Sequence, residues 1–270
     1  MRNSPWFRLV LLGLVAAPAT AAEIWTDIGS HIAKFDSANP NVISYVGGNT
    51  GELPMDGMDF TSDGVLYAVA DQELFIVNQT NGTVQSIGVA QLAPNEIFMD
   101  ISWNPVTQTM YGVGLASLTT PPHLYQINLG TGAATLVGDI NVPLPSIPSG
   151  LATTAQGVRY MDDGERGGLY RLQGLDGTFL GPEGLSFAYF GGMTIDWSRD
   201  GALYQSYFNS TTLRTELWTA DLNTGVGTFL GTVGGGEVIT LSVAIKPVPE
   251  PTGWLALVVL AGCGIRGRRP

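Results

Sequence analysis

A short segment recurs along this chain, and it consists of an apolar strand, a turn that contains glycine and a second strand that ends in glycine. Its clearest copies begin at Glu73, His123, Gly168 and Glu216, and HIAKFDSANPNVISYVG, from His31, is a fifth copy with a longer turn. The turns NQTNG, NLGTG, LDG and DLNTG contain residues that tolerate the backbone conformations of hairpin loops. The repeat therefore predicts five β-hairpins of similar shape, and no convincing helix-period segment accompanies them.

Additional strands lie upstream of the hairpins. Each hairpin follows one of the segments EIWTD, VLYAVA, TMYGVG, GVRYMD and ALYQSY, and the last four of these follow a further strand, namely GMDF, FMDISW, SGLATT or GGMTIDW. The first copy lacks this further strand, whereas ITLSVAI, at 239–245, is a surplus strand at the far end. The copies recur about every 40–50 residues, as in known propeller repeats. We therefore predict an all-β fold, a β-propeller of five four-stranded blades that is closed by pairing of the N- and C-terminal strands.

Two other architectures compete with this interpretation. A β-sandwich with irregular Greek-key strands would account for the strand content, but it gives no reason for the repeat or for the orphan strand at each end. A six-bladed ring is the second alternative, if the segment NVPLPSIPSG, at 141–150, contains further strands. Strands such as LFIV and LYQI read as continuous apolar runs, which is typical of sheets that are packed on both faces.

The charge and the cysteine content restrict the partners and the stabilising bonds. The chain has a formal net charge of −11 at pH 7. Phosphate backbones and anionic lipid surfaces repel such a protein, so we do not expect nucleic-acid binding. The single cysteine, Cys263, lies near the C-terminus. We therefore expect the folded domain to be held by core packing without a disulfide.

Residues 1–21 have the pattern of a secretory signal peptide. Arg2 and Arg8 precede an apolar stretch, and small residues follow up to Ala21, where we predict cleavage. A membrane-anchoring helix is the alternative, but it needs about 20 apolar residues, and Pro18 interrupts the run earlier. The sequence thus predicts export of a domain that spans residues 22–246.

The remaining residues, 247–270, read PVPEPTGWLALVVLAGCGIRGRRP. They predict a short C-terminal hydrophobic helix. We identify three parts: a motif of Pro249, Glu250 and Pro251, an apolar membrane span that includes Trp254, Leu255, Leu257, Val258, Val259 and Leu260, and a basic stop of Arg266, Arg268 and Arg269. Twelve residues of helix rise about 18 Å, which is short of a hydrocarbon core of about 30 Å. Basic residues beside a span stay in the cytoplasm, so the domain would face outward.

This tail resembles the PEP-CTERM sorting signal of exopolysaccharide-producing Gram-negative bacteria. The resemblance covers about the last 23 residues and says nothing about the fold of the domain. It implies an exosortase-type enzyme that removes the tail, a transient stay in the inner membrane, and a final location at the cell surface or outside the cell. It also implies an association with exopolysaccharide, biofilm or surface proteins. Two departures are Gly267, which breaks the arginine cluster, and Gly253, where a small hydroxyl residue is common. A simple C-terminal anchor is the alternative.

Within the domain, Asp59 and Asp100 are the candidate site residues. Both follow methionine in an innermost strand, and the aligned positions hold Ala152, Thr194 and Ser242. If these strands line the central channel, the two carboxylates would lie near its mouth and could bind a ligand or a divalent cation. The alternative is that they cap turns or bond neighbouring blades. No other cofactor or metal site is predicted, because His31 and His123, the two histidines, belong to different repeats.

Three functions fit these features. The first is an exported cell-surface or matrix protein whose propeller binds a polymer or a protein partner on a rigid face. The second is a secreted hydrolase or lyase that acts on polysaccharide at the channel mouth, where glycosidases need two carboxylates, but fold analogy alone supports it. The third is a passive structural coat. The sequence shows no catalytic arrangement of serine and histidine, so we favour the binding protein and assign no catalytic residue.

Overall fold

The fold is a β-propeller of five four-stranded antiparallel sheets, as predicted. The computed structural model describes residues 21–51, 54–184, 191–199, 201–235 and 242–248. Within these residues the one helical element is a short 3-10 turn at Val233–Gly235. No helix in this part of the chain has the length and apolar character needed to cross a membrane. The signal peptide up to residue 20, the Pro249–Pro251 motif, the C-terminal helix and the basic stop lie outside the described residues.

Blade I is built from both ends of the chain. It consists of β1 (Glu23–Ile28), β2 (His31–Asp36), β3 (Asn39–Asn49) and the last strand, β20 (Val243–Ile245). Strand β20 lies innermost and pairs antiparallel with β1, where Ile24 lies opposite Ile245 and Thr26 lies opposite Val243. The surplus strand at the end of the sequence therefore replaces the one missing at its start, and the predicted closure is confirmed.

The other four blades each run from the innermost to the outermost strand in chain order. Blade II contains β4 (Gly57–Phe60), β5 (Leu66–Ala70), β6 (Glu73–Val77) and β7 (Val84–Val89). Blade III contains β8 (Ile97–Asn104), β9 (Thr109–Leu115), β10 (His123–Ile127) and β11 (Ala134–Asp139). Blade IV contains β12 (Pro148–Thr153), β13 (Arg159–Asp163), β14 (Gly168–Gln173) and β15 (Asp176–Pro182). Blade V contains β16 (Gly191–Ile195), β17 (Leu203–Asn209), β18 (Arg214–Ala220) and β19 (Gly227–Thr232).

The segment at 141–150 contains no sixth blade. Asn141 makes an isolated bridge with Asp176, and β12 begins only at Pro148. The five-bladed ring is therefore the architecture of the described chain, and the six-bladed alternative is excluded.

Burial decreases from the centre of the ring to its rim. Every residue of β4, β12 and β16 is buried. The cores lie between blades, as where Trp25 of blade I packs edge-to-face on Phe60 of blade II with ring centroids 6.0 Å apart. The outermost strands expose apolar side chains such as Leu136. Since both faces of the inner strands are covered, their continuous apolar sequences have a direct structural cause.

A glycine in each outermost strand lets neighbouring blades approach closely. At Gly88 of blade II, an added Cβ would lie 2.3 Å from the carbonyl oxygen of Thr131, in the outer hairpin turn of blade III. At Gly47 and Gly181 an added Cβ would likewise meet a backbone carbonyl oxygen of the next blade, and at Gly138 and Gly231 it would meet the side chains of Leu175 and Pro40. The glycine at the end of each repeat is thus required by contact with the next blade.

Candidate functional site

The inner strands place the candidate carboxylates on adjacent blades at different heights. Asp59 of β4 lies opposite Tyr67, whereas the residue of β8 that lies opposite the equivalent Tyr111 is Ser102. Asp100 is therefore level with Gly57, and the predicted alignment of Asp100 with Asp59 was wrong by two residues. The two Met–Asp pairs misled the alignment because β8 continues further beyond its Met–Asp pair than β4 does.

Asp59 joins blade II to blade III. Its side chain is buried, and its carboxylate accepts hydrogen bonds from the backbone N–H groups of Phe60, at 2.8 Å, and Trp103, at 2.7 Å. Burial raises the pKa of Asp59 to about 7, although the two N–H donors act in the opposite direction. This geometry supports the alternative that the carboxylate bonds neighbouring blades, and its role in ligand or cation binding stays a prediction.

Asp100 of blade III bonds to the backbone of two other blades near the centre of the propeller. It is fully buried, and its carboxylate accepts hydrogen bonds from Ile101 N at 2.8 Å, Leu151 N at 2.8 Å and Met193 N at 3.3 Å. The last two donors belong to blades IV and V, so one side chain links three blades. Gly57 lies directly against it, since an added Cβ would be 2.7 Å from the Asp100 Cα atom. Burial raises the pKa of Asp100 despite the three donors.

Other carboxylates near the starts of the inner strands also accept hydrogen bonds from the backbone. Asp27 of blade I accepts the N–H of Met55, which precedes blade II, and the hydroxyl of Ser242. Asp56 accepts the N–H of Asp71 at 2.6 Å, and burial raises the pKa of Asp56 to about 6. This side of the propeller therefore concentrates acidic groups that serve first as acceptors for backbone donors.

A second acidic cluster lies between blades IV and V. We call it the IV–V oxygen pocket, and it consists of five buried side chains, Ser149, Asp162, Glu183, Gln205 and Tyr207. Glu183 accepts hydrogen bonds from Gln205 Nε2 at 2.6 Å and from Tyr207 Oη at 2.8 Å. Asp162 accepts a hydrogen bond from Ser149 Oγ, and it lies close enough to Glu183 to feel the charge of that carboxyl group. Burial is the main cause of the raised pKa of Asp162 and of Glu183, and the charge of Glu183 raises that of Asp162 further.

A third cluster surrounds His123 in blade III. Its Nδ1 atom lies 3.1 Å from Glu96 Oε2, and its Nε2 atom lies 3.3 Å from Asp139 Oδ1. Tyr125 Oη also donates to Glu96 Oε2 at 2.6 Å, and burial followed by this bond raises the pKa of Tyr125 to about 12. His123 has 21% of its side chain exposed, whereas Glu96 is fully buried. An imidazole between a buried and an exposed carboxylate can relay a proton to the surface.

The two histidines lie in different blades, as predicted. His31 belongs to blade I, where it contacts Tyr45, and His123 belongs to blade III. Among the described residues, no group of three or more histidine, cysteine or acidic side chains is arranged to hold a metal ion.

Sequence reasoning missed the second and third clusters because each joins residues that are distant in the chain. One signal was available for the oxygen pocket. Asp162 and Asp163 are consecutive acidic residues at the end of the predicted strand GVRYMD, and in a blade that packs on both faces neither side chain can avoid burial. The partner residues Glu183 and Tyr207 carry no comparable signal.

Comparisons with known proteins identify the fold and not a family. No protein-family description matches the chain, and no curated protein matches it. A solved structure of a symmetrical protein, described as having emerged de novo under folding constraints, superposes with a TM-score of 0.53 at 16% identity and covers 85% of this chain and 100% of its own.

Two further structures are more distant. A gluconolactonase candidate has a TM-score of 0.45 at 13% identity, covering 83% of this chain and 95% of its own. Virginiamycin B lyase from Staphylococcus aureus has a TM-score of 0.42 at 13% identity, covering 86% and 71%. The structural neighbours of this propeller thus include lactonase-like and lyase-like proteins, at similarities that carry no functional argument.

Proposed function

We propose that this chain is an exported protein of the cell surface or extracellular matrix, sorted through a PEP-CTERM tail, whose propeller is a binding module. In this proposal a signal peptidase removes residues 1–21 and an exosortase-type enzyme removes the tail beyond the Pro249–Pro251 motif. The partner is an extracellular polymer, with polysaccharide as the first class to test, and the protein resides in the inner membrane only in transit.

The position of the two chain ends supports this sorting scheme. Strands β1 and β20 are neighbours in blade I, so both ends of the described domain leave from one blade. Ala21 is exposed just before β1, and Val248 is exposed just after β20. Cleavage after Ala21 and beyond Val248 would leave every described strand in place. The propeller is thus compatible with removal of both sorting segments.

The bonding of Asp100 to the backbone of neighbouring blades disfavours its use in catalysis, and it is the observation that carries the proposal. The carboxylate of Asp100 links three blades at the axis, and Gly57 packs against it. A polymer would therefore have to contact the outside of the ring. Between blades II and III lies a cleft of about 300 Å³ that Tyr67, Trp103, Leu129 and the polar residues Ser62, Asp63 and Gln108 line. A mixed aromatic and polar lining suits the apolar face and the hydroxyl groups of a sugar ring.

Retention on the polysaccharide that the native host secretes tests the binding role. We expect Tyr67→Ala to weaken retention of the purified protein about fivefold, because one aromatic contact is worth about 1 kcal/mol. Tyr45→Ala is the matched control, since Tyr45 is an exposed tyrosine of blade I, away from the cleft. Equal retention of both variants and the wild type would show that the cleft does not bind the polysaccharide.

A secreted hydrolase or lyase is the second candidate function, and the environment of His123 favours it. His123 contacts the carboxylates of Glu96 and Asp139, and this arrangement provides an acid–base group near the surface, outside the channel. Turnover of a polysaccharide that disappears in His123→Gln, with an unchanged melting temperature, would select the enzyme over the binding module.

A further inference from the structure

The IV–V oxygen pocket plays no part in the functions proposed above. It places two buried carboxyl groups, those of Asp162 and Glu183, close enough for the charge of Glu183 to raise the pKa of Asp162. In the described part of the chain neither carboxyl forms a salt bridge, and the negative charge of Asp163 acts on Asp162 as well. Two buried carboxylates in contact cannot both be ionised unless a positive charge joins them. The pocket therefore requires either a bound proton or a bound cation.

The side-chain oxygen of Gln205 distinguishes between these possibilities. Asp162 Oδ1 and Gln205 Oε1 are both buried and accept no hydrogen bond. The amide group of Gln205 borders the pocket, because its Nε2 atom donates to Glu183 Oε1 at 2.6 Å and its Oε1 atom is attached to the same carbon. A shared proton would satisfy the contact between the two carboxyl groups, but it would leave the Gln205 oxygen without a partner. Buried oxygen acceptors without donors are costly, and a cation would satisfy them together.

We propose that the IV–V oxygen pocket binds a hard divalent cation of the Ca²⁺ class. Asp162 and Glu183 supply the two negative charges, and the Gln205 carbonyl oxygen supplies a neutral ligand. The hydroxyl oxygens of Ser149 and Tyr207 lie within hydrogen-bonding distance of the two carboxyl groups and complete the set.

The chemistry of the donors selects the kind of ion. All of the donors are oxygens, which bind Ca²⁺ and Mg²⁺ in preference to zinc or copper. They come from three strands and one connecting segment, and such a varied set suits the adaptable coordination of Ca²⁺ better than the strict octahedron of Mg²⁺. Because β12 and β13 belong to blade IV and β17 belongs to blade V, the ion would fasten these two blades together.

The test uses the purified full-length chain, freed of metal by a chelator, and its melting temperature with and without added Ca²⁺. At a free Ca²⁺ concentration of about 100 times Kd, we expect the melting temperature to rise by about 5–10 °C. The rise should be larger at about pH 8 than at about pH 5.5, because protons compete with the metal for the carboxylates. Luminescence of Tb³⁺ bound in place of Ca²⁺, excited through the protein's aromatic residues, provides a second readout.

Three variants locate the ion. Asp162→Asn and Glu183→Gln keep the size of the side chain and its capacity for hydrogen bonds, and each should abolish the Ca²⁺-dependent rise. Asp59→Asn is the matched control, because Asp59 is a buried aspartate outside the pocket and should leave the rise intact. If Asp162→Asn fails to fold, the loss of Tb³⁺ luminescence in Glu183→Gln decides the question.

Two results would overturn the proposal. The first is a wild-type protein that shows neither a change in melting temperature with Ca²⁺ nor Tb³⁺ luminescence, in which case the pocket holds a proton only. The second is a Ca²⁺ response that survives in Asp162→Asn and Glu183→Gln but disappears in Asp59→Asn, which would move the cation to the centre of the propeller.

Discussion

Buried carboxylates fasten the blades of this propeller to one another. Asp27, Asp59 and Asp100 each accept a hydrogen bond from the backbone of a neighbouring part of the ring. Inner strands are paired on one edge only, so the N–H groups on the other edge need acceptors from the next blade. A carboxylate suits this task because it has two oxygens that can accept bonds in several directions. The acidic composition of the chain thus has a structural cause at its centre.

Asp100→Asn should lower the free energy of unfolding by about 1–3 kcal/mol, which is the usual cost of a buried donor left without an acceptor. Three N–H groups share the two oxygens of Asp100, whereas asparagine has only one oxygen that can accept them. Chemical denaturation measures the difference. Asp71→Asn is the control, because Asp71 is exposed and has a positive φ of 53°, which asparagine tolerates. An equal stability of both variants would show that Asp100 does not hold the blades together.

For individual residues, the sequence identified the unusual buried acids Asp59 and Asp100, but it did not predict the hydrogen bonds that they make. Asp59 and Asp100 stand out because acidic residues are rare in buried strands, and the structure does place them in adjacent inner strands. Their relative height depends on how far β8 extends beyond Asp100, and their partners include backbone atoms of blades far along the chain. Neither this relative height nor these partners can be predicted from local sequence patterns. The contact of Asp162 with Glu183 could not be predicted for the same reason.

The strands and the hairpins were the most predictable part of the molecule. The hairpins repeat with their turn glycines in the same place, and Gly82, Gly132, Gly174 and Gly225 all have positive φ values. Strand types follow from local apolar patterns, and blade order follows from chain order. The bulges were not predicted, although blades II to V each shift register at one place in the outer hairpin. A bulge depends on the contact with the next blade, which local patterns do not encode.

Gly88→Ala should destabilise the protein by about 1–3 kcal/mol, the usual cost of an overpacked contact. The added methyl group would lie 2.3 Å from the Thr131 carbonyl oxygen and would push blades II and III apart. Thermal and chemical denaturation measure the loss. Gly48→Ala is the matched control, because it also lies in an outermost strand but meets no atom within 4 Å. If Gly48→Ala costs as much as Gly88→Ala, strand propensity and not the contact between blades would explain the loss.

The whole molecule should be more stable in mild acid than at neutral or alkaline pH. Burial raises the pKa of Asp56 to about 6 and that of Asp59 to about 7, and it raises that of Asp100 and of Asp162 as well. A raised pKa means that the folded protein binds protons that the unfolded chain releases. The resulting stability is fully present below the ordinary aspartate value of 3.8 and is lost as pH rises through about 7. Glu23 and Asp221 have lowered pKa values and act in the opposite sense, at lower pH.

Denaturant titrations at about pH 5 and about pH 8, in the presence of a chelator, measure this dependence. We expect the free energy of unfolding to fall by roughly 2–4 kcal/mol between the two. The chelator is needed because a cation in the IV–V oxygen pocket would replace the proton and flatten the curve. A stability that stays constant or rises with pH would contradict the assignment of buried, protonated carboxyl groups.

The most direct test of the proposed sorting is the intact mass of the protein recovered from its native host, with sequencing of its C-terminal peptide. We expect a mature chain that begins at or next to Ala22 and ends close to the Pro249–Pro251 motif. Such a chain contains the whole propeller and lacks both sorting segments. A chain that still contains Arg269 would make the tail a plain anchor and contradict processing by an exosortase-type enzyme. A chain that still begins at Met1 would contradict export itself.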